Sequence, residues 1–220
     1  MVKISPSLLS ADFARLGEDI ESVRSADYLH FDVMDGVFVP NISVGFPVLE
    51  AVRRVTDIAL DVHLMVTRPA RYAERFARAG ADIVSFHIEA DTPGGITKAI
   101  SGVASAGKTP GIAIKPATPV AAVLPYIDSI GIVVVMSVEP GYGGQKFMAG
   151  ALEKISELRG AIEARGARCE LEVDGGINAE TAALCVRAGA DVLVSGNDLF
   201  GAADRAARMG QLRAADRGMR

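Results

Sequence analysis

The chain has no tryptophan, two cysteines and three histidines among its 220 residues. The missing tryptophan excludes nothing. Cys169 and Cys185 have neither metal-ligand spacing nor the density of a disulfide scaffold, so reduced thiols in a cytoplasmic protein are expected. An excess of positive charge is also lacking: Lys+Arg 23 against Asp+Glu 27 gives a net charge of −4. That removes any bulk electrostatic case for a nucleic-acid partner. A phosphorylated small molecule would have to be held by local backbone dipoles instead. No apolar run approaches the roughly 18 residues of a membrane span, so no membrane partner is expected. Residues 1–7 read as neither a signal peptide nor a transit sequence.

What is present is an alternation. Runs rich in Val and Ile, in a chain 50% apolar, take turns with amphipathic stretches from end to end. Strands are expected near 2–8, 29–36, 58–66, 82–89, 109–115, 130–138, 167–173 and 191–195. Helices are expected over 11–25, from Pro47, over 69–80 and 94–106, from Pro119, within 147–165, from the N-cap Asn178 to Gly189, and over 202–220 with a charged, frayed end. Two helix-to-strand joints are nearly identical, Ala79-Gly80-Ala81-Asp82 and Ala188-Gly189-Ala190-Asp191. Eight such units without a linker predict a single-domain α/β fold over 1–220, a (β/α)8 TIM barrel. An open doubly wound sheet is the competitor. It is disfavoured because the polar strand ends come from both halves of the chain, and only a closed barrel gathers them at one mouth.

The chain is organised around Leu29-His30-Phe31-Asp32-Val33-Met34-Asp35-Gly36. Strand alternation puts His30, Asp32 and Met34 on one face. Both faces of a parallel α/β sheet are covered, so these polar groups must be paired, ligated or lining a cavity. His63 and Met65 repeat the pattern, and Asp174 ends a strand just before Gly175-Gly176. A lone strand histidine is usually a hydrogen-bonded structural residue. Two His and two Asp at one barrel mouth point instead to one divalent cation, with Zn²⁺, Fe²⁺, Mn²⁺ and Co²⁺ all suited to imidazole and carboxylate donors. His87 can be a ligand, a partner of a ligand or a substrate contact. Asp35 reads as a turn cap, and Asp61, deeper, as structural. Met34, Met65 and Met136 fall on the same phase, as core filler or as a dry floor under a reacting carbon. Gly141-Tyr142-Gly143-Gly144, Gly175-Gly176 and Gly196-Asn197 follow strands six to eight, the sector where barrels bind phosphate. Lys115 and Lys146 read as solvated surface lysines.

The segments ISPSLLSADF (4–13), HFDVMDGVFVPN (30–41), DVHLMV (61–66), KPATP (115–119), MSVEPGYGGQKF (136–147) and EVDGGIN (172–178) run in order through most of the chain. They resemble those of the ribulose-phosphate 3-epimerase family. The resemblance implies a reversible inversion at C3 of a 2-ketose phosphate, D-ribulose 5-phosphate to D-xylulose 5-phosphate, in the pentose phosphate pathway. His30, Asp32, His63 and Asp174 match the metal ligands, and Asp32 and Asp174 also match the two acid/base groups. Ser7 and His63 match substrate contacts. Gly141, Tyr142, Gly143, Gly144, Asp174, Gly175, Gly176, Gly196 and Asn197 match the phosphate and substrate loops, and the three methionines match the floor. The family forms homo-oligomers, so a dimer or larger is implied. The chain departs from the pattern at Val37 and at Gly196-Asn197-Asp198, where Gly-Ser and an apolar residue are usual. These departures keep a 3-epimerase of a hexulose phosphate, such as D-allulose 6-phosphate, as the alternative substrate reading. A non-catalytic sugar-phosphate-binding barrel is the alternative of another class. A decarboxylase-like relative would need a Lys in an Asp-x-Lys-x-x-Asp run, which is absent.

Overall fold

Eight short runs of Val, Ile and Leu become the staves of a barrel because neither face of any of them meets water. The computed structural model describes residues 1–215. The strands are β1 (Lys3–Pro6), β2 (Tyr28–Met34), β3 (Ala59–Met65), β4 (Ile83–His87), β5 (Thr109–Ile114), β6 (Ile132–Met136), β7 (Glu170–Asp174) and β8 (Val192–Ser195). All ladders are parallel, in the order β1-β8-β7-β6-β5-β4-β3-β2. A parallel bridge between Ser7 and His30 joins the two ends and closes the ring. The helices are α1 (Leu16–Ser22), α2 (Phe46–Val55), α3 (Ala73–Arg78), α4 (Pro93–Ser105), α5 (Ala151–Arg165), α6 (Ala179–Ala188), α7 (Asn197–Phe200) and α8 (Arg205–Ala214).

The main apolar core lies between the strands and the helices. Leu29, Phe31, Val62, Leu64, Phe86 and Ile112 from the outward phase of the strands pack with Leu49, Phe76, Val103, Leu158 and Leu212 from the helices. Each such fully buried side chain contributes about 1.5–3 kcal/mol. The inward phase is different. Its lower end is apolar, with Ile83, Ile132 and Val192 in contact. Above them the interior turns polar, with Ser5, Asp61, Glu172, His30, Ser85, His63 and His87 all fully buried.

The Ala-Gly-Ala-Asp joints work as their repetition suggests. Gly189 has φ +113, a conformation that side chains other than hydrogen resist, and its N–H closes α6 onto the Cys185 carbonyl. The aspartate that follows each joint ties down a neighbouring strand. Asp82 Oδ2 accepts from the Leu60 N–H (3.0 Å), and Asp191 Oδ2 accepts from the Leu171 N–H (2.9 Å). At the other end of α6, Asn178 and Thr181 form a reciprocal capping box.

Several expected helices are shorter than their apolar periodicity. The helix over 11–25 is a 3₁₀ turn, Phe13–Arg15, followed by α1, because the Asp12 carboxylate caps the turn at Ala14 N–H and Arg15 breaks helical geometry. The helix expected from Pro119 is a pair of 3₁₀ turns, Val120–Ala122 and Leu124–Ser129. Pro125 lacks the N–H that an α-helix needs there. The 69–80 helix begins as a 3₁₀ turn behind Arg68, whose φ is +55. The last helix is capped by Asp204 and runs over Arg205–Ala214. Residues 216–220 of the expected 202–220 helix lie outside the described residues. No helix among the described residues is long and apolar enough to cross a membrane.

Candidate active site and metal centre

Parallel registry brings the polar strand ends to one rim. Asp32 on β2 pairs with His63 on β3, and Met136 on β6 pairs with Asp174 on β7. His30, Asp32, His63 and Asp174 each offer one donor atom, and these four atoms lie within 4.8 Å of one another. His30 Nε2 is 3.3 Å from Asp32 Oδ1 and 3.7 Å from Asp174 Oδ2. His63 Nδ1 is 3.7 Å from each of the same carboxylates. A tetrahedral ion with bonds of about 2.1 Å needs donors about 3.4 Å apart. Both inward imidazole nitrogens, His30 Nε2 and His63 Nδ1, are buried without a hydrogen-bond partner. Buried nitrogens aimed at two carboxylates are costly unless a positive charge, a proton or a metal ion, lies between them. The donor set therefore fits one divalent ion.

The charges of the cluster are strongly interdependent. Burial opposes an imidazolium at His30, yet Asp32 and Asp61 outweigh it and hold its pKa well above the usual range. Burial likewise opposes charge on Asp32, and His30 and His63 pull its carboxyl below the usual carboxylate range. Ser7 Oγ donates to Asp32 Oδ2 at 2.7 Å, fixing the oxygen that does not face the histidines.

Behind the four stand groups whose roles a linear reading does not reveal. His30 Nδ1 is 2.7 Å from Asp61 Oδ2, so Asp61 is the partner that orients His30. Glu172 was missed by the sequence reading. It sits two residues before Asp174, on the same inward phase, and that phase was the available signal. Its carboxylate is fully buried, lies 3.6 Å from His30 Nδ1 and has no hydrogen-bond partner on either oxygen. Burial and the neighbouring Asp61 push its pKa well up. His87 is 3.1 Å from His63, nitrogen to nitrogen, and 3.1 Å from Glu89. Burial lowers the His87 pKa to about 4.

Above the cluster opens a cavity of about 370 Å³. Asp32 and Asp174 line it, whereas His30 and His63 lie fully buried beneath. Ser7, Met34, Met65 and Met136 also face it. The methionine floor is two patches: Met34 and Met65 pack with Val39, and Met136 packs with Val134 and Val138. Gly141, Tyr142, Gly143 and Gly144 line the cavity together with Gly175, Gly176, Gly196 and Asn197. Gly176 has φ +61, and a Cβ there would sit 2.6 Å from the Phe147 backbone nitrogen. Only glycine fits that turn.

The loop from Glu139 to Lys146 is braced by the Pro40-Asn41 segment and by a bond within the loop. Asn41 Nδ2 donates to the Gly141 carbonyl (2.9 Å), the Tyr142 hydroxyl donates to the Pro40 carbonyl (2.6 Å), and Gln145 Nε2 donates to the Glu139 carbonyl (2.6 Å). Asn197 Oδ1 accepts from Ser10 Oγ at 2.6 Å. Asp198 is neutralised by Arg208, whose Nε donates to it at 2.7 Å, so the Asp198 carboxylate does not confront an incoming anion unpaired. Of the expected solvated lysines, Lys146 is exposed at the rim, while Lys115 lies 4.0 Å over the Phe38 ring. Asp35 caps its turn as expected, through Val37 N–H and Phe38 N–H, and also accepts from Thr67 N–H.

Comparison with known proteins agrees with this geometry. The sequence profile described as "Ribulose-phosphate 3 epimerase family" matches residues 3–200. A ribulose-phosphate 3-epimerase of Bacillus subtilis is 46% identical over 216 residues, covering 97% of this chain and 99% of that protein. A chloroplastic ribulose-5-phosphate-3-epimerase of Arabidopsis thaliana is 43% identical, covering 97% of this chain and 77% of that protein. Among solved structures, 3-hexulose-6-phosphate synthase from Salmonella typhimurium superposes with a TM-score of 0.72 at 17% identity, covering 100% of both chains. That likeness concerns the barrel alone. With the profile spanning nearly the whole chain and relatives this similar, the chain belongs to the ribulose-phosphate 3-epimerase family.

Proposed function

We propose that this isomerase interconverts D-ribulose 5-phosphate and D-xylulose 5-phosphate, with His30, Asp32, His63 and Asp174 holding one divalent cation and Asp32 and Asp174 as its acid/base pair. The observation that carries the reading is the pair of orphaned imidazole nitrogens facing two carboxylates directly beneath the cavity. When bound, the cation supplies Lewis-acid polarisation of the ketose oxygens, which makes a proton next to the carbonyl acidic enough for a carboxylate base. Imidazole and carboxylate donors suit Zn²⁺, Fe²⁺, Mn²⁺ or Co²⁺.

Inversion at C3 needs a base on one face of the substrate and an acid on the other. Asp32 and Asp174 approach the cavity from different directions, on β2 and β7, which β1 and β8 separate in the closed ring. One takes the C3 proton, and the other delivers a proton to the opposite face. Ser7 holds Asp32 by its other oxygen. Met34, Met65 and Met136 keep water from the reacting carbon. The backbone N–H groups of Gly143, Gly144, Gly175, Gly176, Gly196 and Asn197 bind the phosphate, and Gly141 and Tyr142 shape the wall that covers the sugar.

The Asp198–Arg208 pair leaves room for the phosphate of a pentose or a hexose, and the similarity to ribulose-phosphate 3-epimerases favours the pentose. Epimerisation of D-ribulose 5-phosphate, measured beside D-allulose 6-phosphate, tests the reading on protein stripped of metal and reloaded with each of the four cations. Strong metal-dependent turnover of the pentose phosphate is the expected result. A preference for the hexose phosphate would move the specificity to Gly196–Asp198. Inactivity on both, with metal bound, would refute an epimerase. The two buried, unpaired thiols fit a reducing cytoplasm, and family analogy favours a homo-oligomer. A monomer on sedimentation would overturn the oligomeric part.

A further inference from the structure

We propose that Glu89 and His87 are positioning residues that hold His63 in a single tautomer, with its proton on Nε2 and its Nδ1 lone pair aimed between Asp32 and Asp174. The inference deepens the metal-centre reading and rests on it for its purpose, though not for its geometry.

The relay begins at Glu89. Glu89 Oε1 accepts from the backbone N–H of Lys115 at 2.8 Å and from the Thr118 hydroxyl. A backbone N–H can only donate, so this carboxylate is set as an acceptor. Its other oxygen lies 3.1 Å from His87 Nδ1, which must therefore carry a proton and donate it. A neutral imidazole protonated on Nδ1 has a bare Nε2. That Nε2 lies 3.1 Å from His63 Nε2, and a hydrogen bond between two ring nitrogens needs one proton and one lone pair. His63 Nε2 therefore donates. Its Nδ1 is left bare, and it is one of the buried nitrogens without a partner.

The second ligand histidine reaches the same state by the opposite connection. In its neutral, metal-binding form His30 Nδ1 donates to Asp61 at 2.7 Å, which leaves its Nε2 bare. Two imidazoles, joined to their supports through different nitrogens, thus present lone pairs to one point. Phe38 covers the relay, its ring centroid 4.9 Å from that of His87, and Lys115 caps the Phe38 ring. A relay that merely satisfied buried polar groups would not have to end on a bare nitrogen at the cluster.

Glu89→Gln separates the two roles. The glutamine carbonyl stays on the Lys115 N–H, which needs an acceptor, and its NH₂ turns to His87 Nδ1. His87 then carries its proton on Nε2 and donates to His63 Nε2, so His63 is protonated on Nδ1. Nitrogen-15 NMR of histidine-labelled, metal-free protein, taken at a pH high enough to leave the His63 ring neutral, reads the tautomers directly. Wild-type His63 is expected as the Nε2–H form and E89Q His63 as the Nδ1–H form. Affinity for Zn²⁺ or Mn²⁺, measured by competition with a chelator, is expected to fall about tenfold to a hundredfold in E89Q.

His87→Gln is the control should E89Q fold poorly. Its NH₂ can face Glu89 and its carbonyl can face His63, so it should keep the Nε2–H form. Wild-type His63 protonated on Nδ1, or a tautomer unmoved in E89Q, would overturn the relay. A switched tautomer with unchanged metal affinity would overturn its positioning role. Tautomers as expected in a wild-type protein that binds neither ion would support the relay and refute the metal centre.

Discussion

Replacing either proposed acid/base aspartate, Asp32 or Asp174, by asparagine should uncouple proton exchange from inversion, and in opposite senses. Asp32 offers Oδ1 to the histidine cluster and Oδ2 to the Ser7 hydroxyl. In Asp32→Asn the amide carbonyl can keep the Oδ1 position, while its NH₂ faces Ser7, whose hydroxyl rotates to accept. The site keeps its shape and the barrel stays folded, but the group no longer shuttles a proton. General acid/base catalysis contributes about 10²–10⁴ in rate, or about 2.7–5.4 kcal/mol, so epimerisation should fall by at least that factor. The remaining Asp174 still removes and returns a proton on its own face. In D₂O, Asp32→Asn should therefore wash deuterium into C3 of one epimer without inverting it and leave the other epimer unlabelled. Asp174→Asn should label the opposite epimer. Proton NMR of C3 reads both experiments. Labelling of the same epimer by both variants, or full epimerisation by either, would refute the two-face assignment.

Three further outcomes follow from particular contacts. Burial opposes charge on Glu89, yet hydrogen bonds from His87, Thr118 and Lys115 outweigh it and hold its pKa down to about 2 against an ordinary 4.5. A depressed carboxylate stabilises the fold above its unfolded pKa, and that contribution is lost as pH falls towards about 2. Allowing for partial exposure, it amounts to about 2 kcal/mol. Urea titrations should show the wild type more stable than Glu89→Gln by that order at neutral pH, with the gap closing in acid; a pH-independent gap would contradict the linkage. Gly176→Ala must place a Cβ 2.6 Å from the Phe147 backbone nitrogen at φ +61, a strain of about 1–3 kcal/mol. A lowered Tm together with a raised KM for the ketose phosphate is expected, and an unchanged KM would remove this turn from the phosphate site. Arg208→Ala frees the Asp198 carboxylate beside the same cavity. KM should rise several-fold with kcat nearly unchanged, and an effect confined to kcat would count against electrostatic interference with the phosphate.

Much of the candidate site was legible because strand alternation has a period of two. His30, Asp32 and Met34 share a phase, as do His63 and Met65, and the ladder between β2 and β3 sets Asp32 beside His63. The same rule places Glu172 in phase with Asp174, but a buried carboxylate below the rim carries no motif to mark it. Helix extents were less legible. Apolar periodicity continued through Asp12 and Pro125, where a side-chain cap and a missing N–H cut the helices short.

What the sequence by itself determined is the barrel and the residue types gathered at its mouth, since eight apolar runs, their spacing and the residues ending them are local properties. What only the tertiary structure decided is which groups touch. Asp61 serves His30 across 31 positions of chain, Glu89 faces His87 and the Lys115 N–H at once, and Arg208 neutralises Asp198. Closure of the ring makes these contacts, because the direction of each lone pair and proton depends on neighbours from strands and loops far apart in the chain.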